Sequence, residues 1–143
     1  MQSGDGAPVI VIHSREQATA ALTAAAQTGR RIVLASGSDA GGHVGPGWFR
    51  ELVAAARDAV PQARFSALLD CGDDVGAALA AIRSHVDGII FTGRADVAGR
   101  LEEIARQHEV RVETIRAVQA LDLGEDFFAS RNSLESRCTA YLS

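Results

Sequence analysis

The chain has 143 residues, 47% hydrophobic and 22% charged, which suits one globular domain with a sizeable core and leaves no room for two. A formal net charge of -4 gives no long-range attraction for nucleic acid or an anionic membrane surface, and no apolar run approaches the roughly 20 residues of a membrane helix. All 14 basic residues are arginines, so chemistry that needs a lysine amine is excluded: Schiff-base aldolases, pyridoxal enzymes and the phosphate-binding P-loop.

The opening stretch MQSGDGAPVIVIH lacks the basic region and cleavage pattern of a signal peptide, and a cytoplasmic location is the expectation. Within it, PVIVIH (8–13) reads as the first strand. A helix follows from Ser14, where SREQ forms a capping box with Gln17, and Gly29 ends it. RIVLAS (31–36) is the second strand. The glycine-rich run SGSDAGGHVGPGW (36–48) reads as a long loop, and the helix WFRELVAAARDAV after it stops at Pro61. The third strand is RFSALLDC (64–71), followed by the helix DDVGAALAAIRSHV. The fourth strand is GIIFTG (88–93), followed by the helix ADVAGRLEEIARQH, and VRVETI (110–115) is a fifth strand. The segment 117–143 breaks this rhythm and reads as a C-terminal extension of a single domain spanning 1–143, with a short helix from Asn132 or Ser133. Its Phe127, Phe128, Tyr141 and Leu142 are expected to pack back on the chain's own sheet, or else on a neighbour's surface.

Alternating β and α units predict an α/β fold with a parallel sheet, and strands apolar on both alternations predict a sheet covered on both faces. The expected architecture is a doubly wound, flavodoxin-like sheet of about five strands in the order 2-1-3-4-5. A half-barrel of four or five βα units that dimerises is the alternative.

In such sheets ligands bind at the carboxyl ends of the strands, beside the helix N-termini. That rule collects His13, then Ser36, Gly37 and Asp39, then Asp70, and then Thr92, Gly93 and Arg94. Gly41, Gly42, Gly45 and Gly47, with His43 among them, permit close backbone approach to an anion, and Arg94 offers a guanidinium fork. If the first and third strands are neighbours, Asp70 orients His13 as a general acid or base. Cys71 next to Asp70 is either a nucleophile or a buried thiol. Asp70, Asp73 and Asp74 suggest Mg²⁺, but Asp73 or Asp74 is also what a helix N-cap requires, and no metal site is assigned. Cys71 and Cys138 show neither zinc nor disulfide spacing, in keeping with a reducing compartment. No cofactor is indicated. His85 and His108 fall in helix-to-strand turns, at the opposite end of the sheet.

FSALLDCGDD followed by GIIFTGRAD resembles the third and fourth strands of receiver domains, with Asp70 at the phospho-acceptor position and Thr92 at the switch hydroxyl. The resemblance implies a degenerate receiver-like signalling domain, because IHS replaces the family's acidic pair and the family's lysine has no counterpart. VDGIIFTGRADVAGRLEEIARQHEVRVE also resembles a late βα unit of phosphate-binding barrel enzymes such as thiamine-phosphate synthase, which implies a phosphate near the strand end. Two functional readings remain. The first is a domain, enzymatic or not, that binds a small anionic or phosphorylated ligand at the carboxyl edge. The second is a non-catalytic scaffold, with homodimerisation through the C-terminal segment.

Overall fold

The computed structural model describes residues 6–126 and 128–143. The strands are β1 (Val9–Ile12), β2 (Ile32–Ser36), β3 (Phe65–Gly72), β4 (Gly88–Phe91), β5 (Arg111–Glu113) and β6 (Ala120–Asp122). The helices are α1 (Arg15–Thr28), α2 (Ala40–His43), α3 (Gly45–Ala59), α4 (Val75–Arg83), α5 (Ala95–Gln107) and α6 (Arg131–Leu142). None is long and apolar enough to cross a membrane among the described residues.

The local signals act as expected where they are strongest. Ser14 Oγ caps α1 by accepting the Gln17 N–H at 3.1 Å, and Gly29 ends the helix in the left-handed region at φ 69°. Asp74, not Asp73, caps α4, accepting the Ala77 N–H at 3.0 Å. The glycine-rich run is largely helical instead of a loop: α2 and α3 take up most of it, with Pro46 in the first turn of α3, where a missing N–H costs nothing. Gly41 has a packing reason. A Cβ there would lie 2.8 Å from Cys71 Sγ and 3.3 Å from the Asp70 carbonyl, so only glycine lets α2 seat on β3.

The strands form one all-parallel sheet, six strands instead of five, flanked by helices as the α/β expectation requires. The order is β5-β4-β3-β2-β1-β6 in place of 2-1-3-4-5. From β1 to β5 every crossover moves one strand in the same direction, and right-handed crossovers then place the helices on one face. That face carries the main core: Ile10, Ile12, Ile32, Leu34, Leu69, Ile89 and Phe91 from the strands meet residues of α1, α3, α4, α5 and α6. The alternate strand residues Val33, Ala35, Leu68 and Ile90 form a second cluster on the other face, with Ala7, Val9 and Val11. In class the molecule matches the flavodoxin-like expectation; in winding it follows the half-barrel alternative.

Only residues 114–119 lead from β5 at one edge to β6 at the other. A flat six-stranded sheet separates its edges by roughly 24 Å at about 4.8 Å per strand, close to the roughly 25 Å that this segment spans at full stretch. The segment bends at Ile115, Val118 and Gln119, so the sheet is curled and the segment crosses it as a strap. The C-terminal residues pack intramolecularly, though against α1 instead of the sheet. Leu134, Cys138 and Leu142 are buried, and the carbonyl of Leu142 accepts from Arg30 Nη1 at 2.6 Å. Tyr141 is half-buried, with its hydroxyl on the Gln119 carbonyl, and Phe128 is exposed. Phe127 lies outside the described residues.

Candidate functional site

The strand ends gather the predicted residues on one edge, but the strand order separates them into groups. At the centre, β3 ends on Asp70, whose side chain is only 3% exposed. A buried carboxylate must be compensated, and this one is. Arg116 on the strap grips it bidentately, Nε to Oδ2 at 2.6 Å and Nη2 to Oδ1 at 2.9 Å. The backbone N–H groups of Asp39 (3.1 Å) and Gly72 (2.9 Å) also donate to Oδ1. The hydrogen bond to Asp70 holds the Arg116 guanidinium above its ordinary pKa. Asp39 takes part from the left-handed region, φ 62°, with its carboxylate 3.5 Å from Arg116. Ser36 is a cross-link as well: its Oγ accepts the Asp70 N–H at 2.8 Å and donates to the Gly37 carbonyl at 3.1 Å. Asp70 therefore anchors the strap, with both carboxylate oxygens hydrogen-bonded.

Cys71 is sealed under α2, and burial pushes its thiol up to about 12. A thiol that stays protonated to that pH is no nucleophile, so the buried-thiol reading is the one that fits. Asp70 and Asp74 are committed to Arg116 and to the α4 cap, and no group of three or more His, Cys, Asp or Glu side chains is arranged for a metal ion among the described residues.

At the β4 end, Thr92 donates its N–H to the Gly72 carbonyl at 2.8 Å. Gly93 makes room for a ring, since a Cβ there would stand 2.5 Å from Phe91 Cζ. Arg94 is 80% exposed and paired bidentately with Asp96. It stands three strands from β1, a lateral separation of about 14 Å, so it shares no site with His13. Gly42 and His43 are exposed on α2, with Gly42 beside the Asp74 carboxylate.

His13 is the residue the structure changes most. Because β2 lies between β1 and β3, His13 does not meet Asp70; its partner is Asp122, at the end of β6. His13 Nε2 is 2.7 Å from Asp122 Oδ1, and a carboxylate oxygen only accepts, so Nε2 carries the proton and Nδ1 is the free basic nitrogen of the neutral ring. The pair is built from several sides. The Gly124 N–H also donates to Asp122 Oδ1, at 2.8 Å. Gln17, fully buried, accepts the His13 N–H through Oε1 at 2.8 Å and donates Nε2 to the Leu123 carbonyl at 2.7 Å, tying β1 to the end of β6. Gly37 leaves the ring its space: a Cβ there would lie 2.6 Å from His13 Cε1 and 2.8 Å from Nδ1. The imidazole is 31% exposed, so it is both fixed and reachable.

Asp122, Gln17, Gly124 and Arg116 are the residues that the sequence reading missed. Asp122 sits in ALDLG, where a three-residue strand is too short to show a period. The chain matches no protein-family model and no curated protein sequence.

Proposed function

We propose that the chain binds a small polar ligand at the carboxyl ends of β1, β2 and β6 and exchanges a proton with it through His13, with Asp122 as the orienting carboxylate. The observation that carries this reading is the His13–Asp122 pair, a half-exposed imidazole with its tautomer set by a carboxylate and its ring set over a bare Cα at Gly37. The anionic class of ligand finds less support. Arg94 and Arg116 are the arginines at this edge, and each already faces a carboxylate. A neutral or singly charged ligand that gives up or receives a proton at Nδ1 suits the site better than a phosphate.

Proton-detected spectra of the His13 ring and of the Gly37 and Gly124 amides, recorded while small polar metabolites are titrated in, test the placement. A ligand that saturably moves all three signals, and that no longer binds H13Q, is the expected result. If every ligand that binds moves signals elsewhere and binds H13Q equally, the placement is wrong.

A second reading, self-association, rests on the strap, where Ile115 is 56% and Val118 94% exposed between the two edge strands. Sedimentation of the wild type and of V118D decides it: a dimer that V118D converts to monomer supports it, and a wild-type monomer at high concentration ends it.

A further inference from the structure

The helix-to-strand turns before β4 and β5, at the end of the sheet opposite His13, hold two histidines that the carboxyl-edge site does not use. Gly88 of β4 is in register with Arg111 of β5, and His85 and His108 each stand three residues before their member of that pair. Parallel strands in register therefore set equivalent turn positions side by side. The two imidazole centres are 5.1 Å apart, with their planes tilted at 54°.

Each ring is placed by a helix end. His85 follows the last turn of α4 in the left-handed region at φ 57°, with its N–H on the Ile82 carbonyl and the Val86 N–H on the Ala81 carbonyl. After α1 the matching place is taken by Gly29 at φ 69°, which meets this conformation without steric cost. His108 caps α5, with its N–H on the Ala105 carbonyl. Two helix C-termini, each the negative end of a dipole that favours a cation, thus meet at this pair. The fold itself makes no use of the rings. Among the described residues neither imidazole has a hydrogen bond or an ion pair, and His85 is exposed while His108 is half-buried.

The separation fits a shared ion. A metal bound about 2.0–2.1 Å from an imidazole nitrogen lies about 3.2 Å from the ring centre. Centres 5.1 Å apart then subtend about 105° at the ion, close to the tetrahedral angle. Rotation about χ2 redirects the nitrogens and leaves the ring centre nearly in place, so the distance between centres is the condition that the backbone has to meet. The surrounding charges are mixed. Arg83 and Arg106 lie on the last turns of the two helices, Glu109 follows His108, and Arg50 and Arg57 share a small cavity with His85, where Asp87 pairs with Arg57 at 3.5 Å. Exposed charges of this kind are screened by salt, whereas a metal–nitrogen bond is not.

We propose that His85 and His108 chelate a divalent transition-metal ion of the zinc, nickel or copper class. No third His, Cys, Asp or Glu side chain joins them among the described residues, so water fills the other coordination positions. Imidazole pairs select this class over magnesium and calcium, which take oxygen ligands.

Zn²⁺ is the probe, added to the untagged protein at about pH 7.5 and read through the ring carbon–proton signals of all four histidines. The expected result is a saturable shift of His85 and His108 together at one ion per chain, with Cu²⁺ binding more tightly than Zn²⁺ and Mg²⁺ producing no shift. H85N, which keeps a residue tolerant of the left-handed turn, and H108Q should each weaken binding at least about tenfold, while H13Q leaves it unchanged. Three results would each overturn the proposal: no saturable shift of the two rings by roughly 1 mM Zn²⁺, a shift confined to one ring or to His13, or unchanged affinity in H85N or H108Q.

Discussion

Two aspartates end strands of the same sheet on the same edge, and they have opposite characters. Asp70, at the centre, is buried and accepts from Arg116, Asp39 and Gly72, so its charge is spent on holding the strap across the curled sheet. Asp122, at the β1–β6 end, is 62% exposed and gives its Oδ1 to an imidazole and one amide. The rule that places ligands at carboxyl ends brings both to the same edge, and burial and partner count are what separate the buried anchor from the exposed carboxylate. In this chain the more conspicuous aspartate, the one in LLDCGDD, is the anchor.

The sharpest way to break this contrast is to remove Arg116. R116A leaves the Asp70 carboxylate buried with only backbone donors. The expected loss is about 2–4 kcal/mol, at the lower end of a broken buried pair because the guanidinium itself is 42% exposed. Urea denaturation measures it, and a loss below roughly 0.5 kcal/mol would show that the strap is not anchored there. The conservative D70N should cost less than R116A, because the amide oxygen keeps an acceptor for the Gly72 and Asp39 amides.

The dryness of the centre gives a pH dependence of the next magnitude. Burial raises the Cys71 thiol to about 12 and the Cys138 thiol to about 11, whereas unfolded thiols ionise near pH 8.5. As pH rises past that value the unfolded chain loses thiol protons that the folded chain keeps, so this contribution to stability is complete below about pH 8 and declines towards pH 11–12. A loss of about 1–2 kcal/mol per thiol by about pH 10 is expected, and C71A, measured against the wild type, should remove its share of the slope. A disulfide-exchange reagent at pH 8 provides the companion measurement: neither thiol should react until the protein unfolds.

How far the sequence reveals this arrangement depends on the range of the signal. Caps are local, and the Ser14 and Asp74 caps appear where the residues around them point. The parallel sheet is legible too, because Val33, Ala35, Leu68 and Ile90 are apolar on the face that carries no helix. That same second cluster explains why the winding is not legible: a curled sheet that buries its own inner face reads like one covered by helices on both sides. Strand order is a property of crossover direction, which no residue in a strand records. It decides whether His13 meets Asp70 or Asp122, so the identity of the pair was hidden although the histidine was not. The glycines of 37–47 are legible as a group that permits close approach, and three of them make one to the protein itself: Gly37 to the His13 ring, Gly41 to Cys71 and Gly42 to Asp74.

Gly37 offers a gentler test of the His13 end. In G37A the new methyl would overlap the His13 ring at 2.6 Å, and an exposed-edge imidazole can turn away at a cost of about 1 kcal/mol. Stability should therefore fall little, while the ring loses its position against Asp122. Binding of any ligand assigned to His13 should drop at least tenfold. If G37A binds normally, the placement of the ring over Gly37 plays no part in recognition.

The smallest stability effect is expected at Asp122, and it is the most informative. An exposed pair of this kind contributes about 0.5 kcal/mol or less, so D122N should fold and melt almost as the wild type does. What it should change is the ring itself. In the wild type the carboxylate fixes the proton on Nε2, and nitrogen–proton correlation spectra of the neutral ring should show one tautomer, with Nδ1 as the unprotonated nitrogen. The carboxamide of D122N can turn either its oxygen or its nitrogen to the ring, which removes that constraint, and a mixture of tautomers is expected. A wild-type ring already in mixed tautomers would mean that the contact with Asp122 does not orient His13. The two aspartates would then differ only in exposure, and the β1–β6 end of the sheet would lose the feature that sets it apart from its anchored centre.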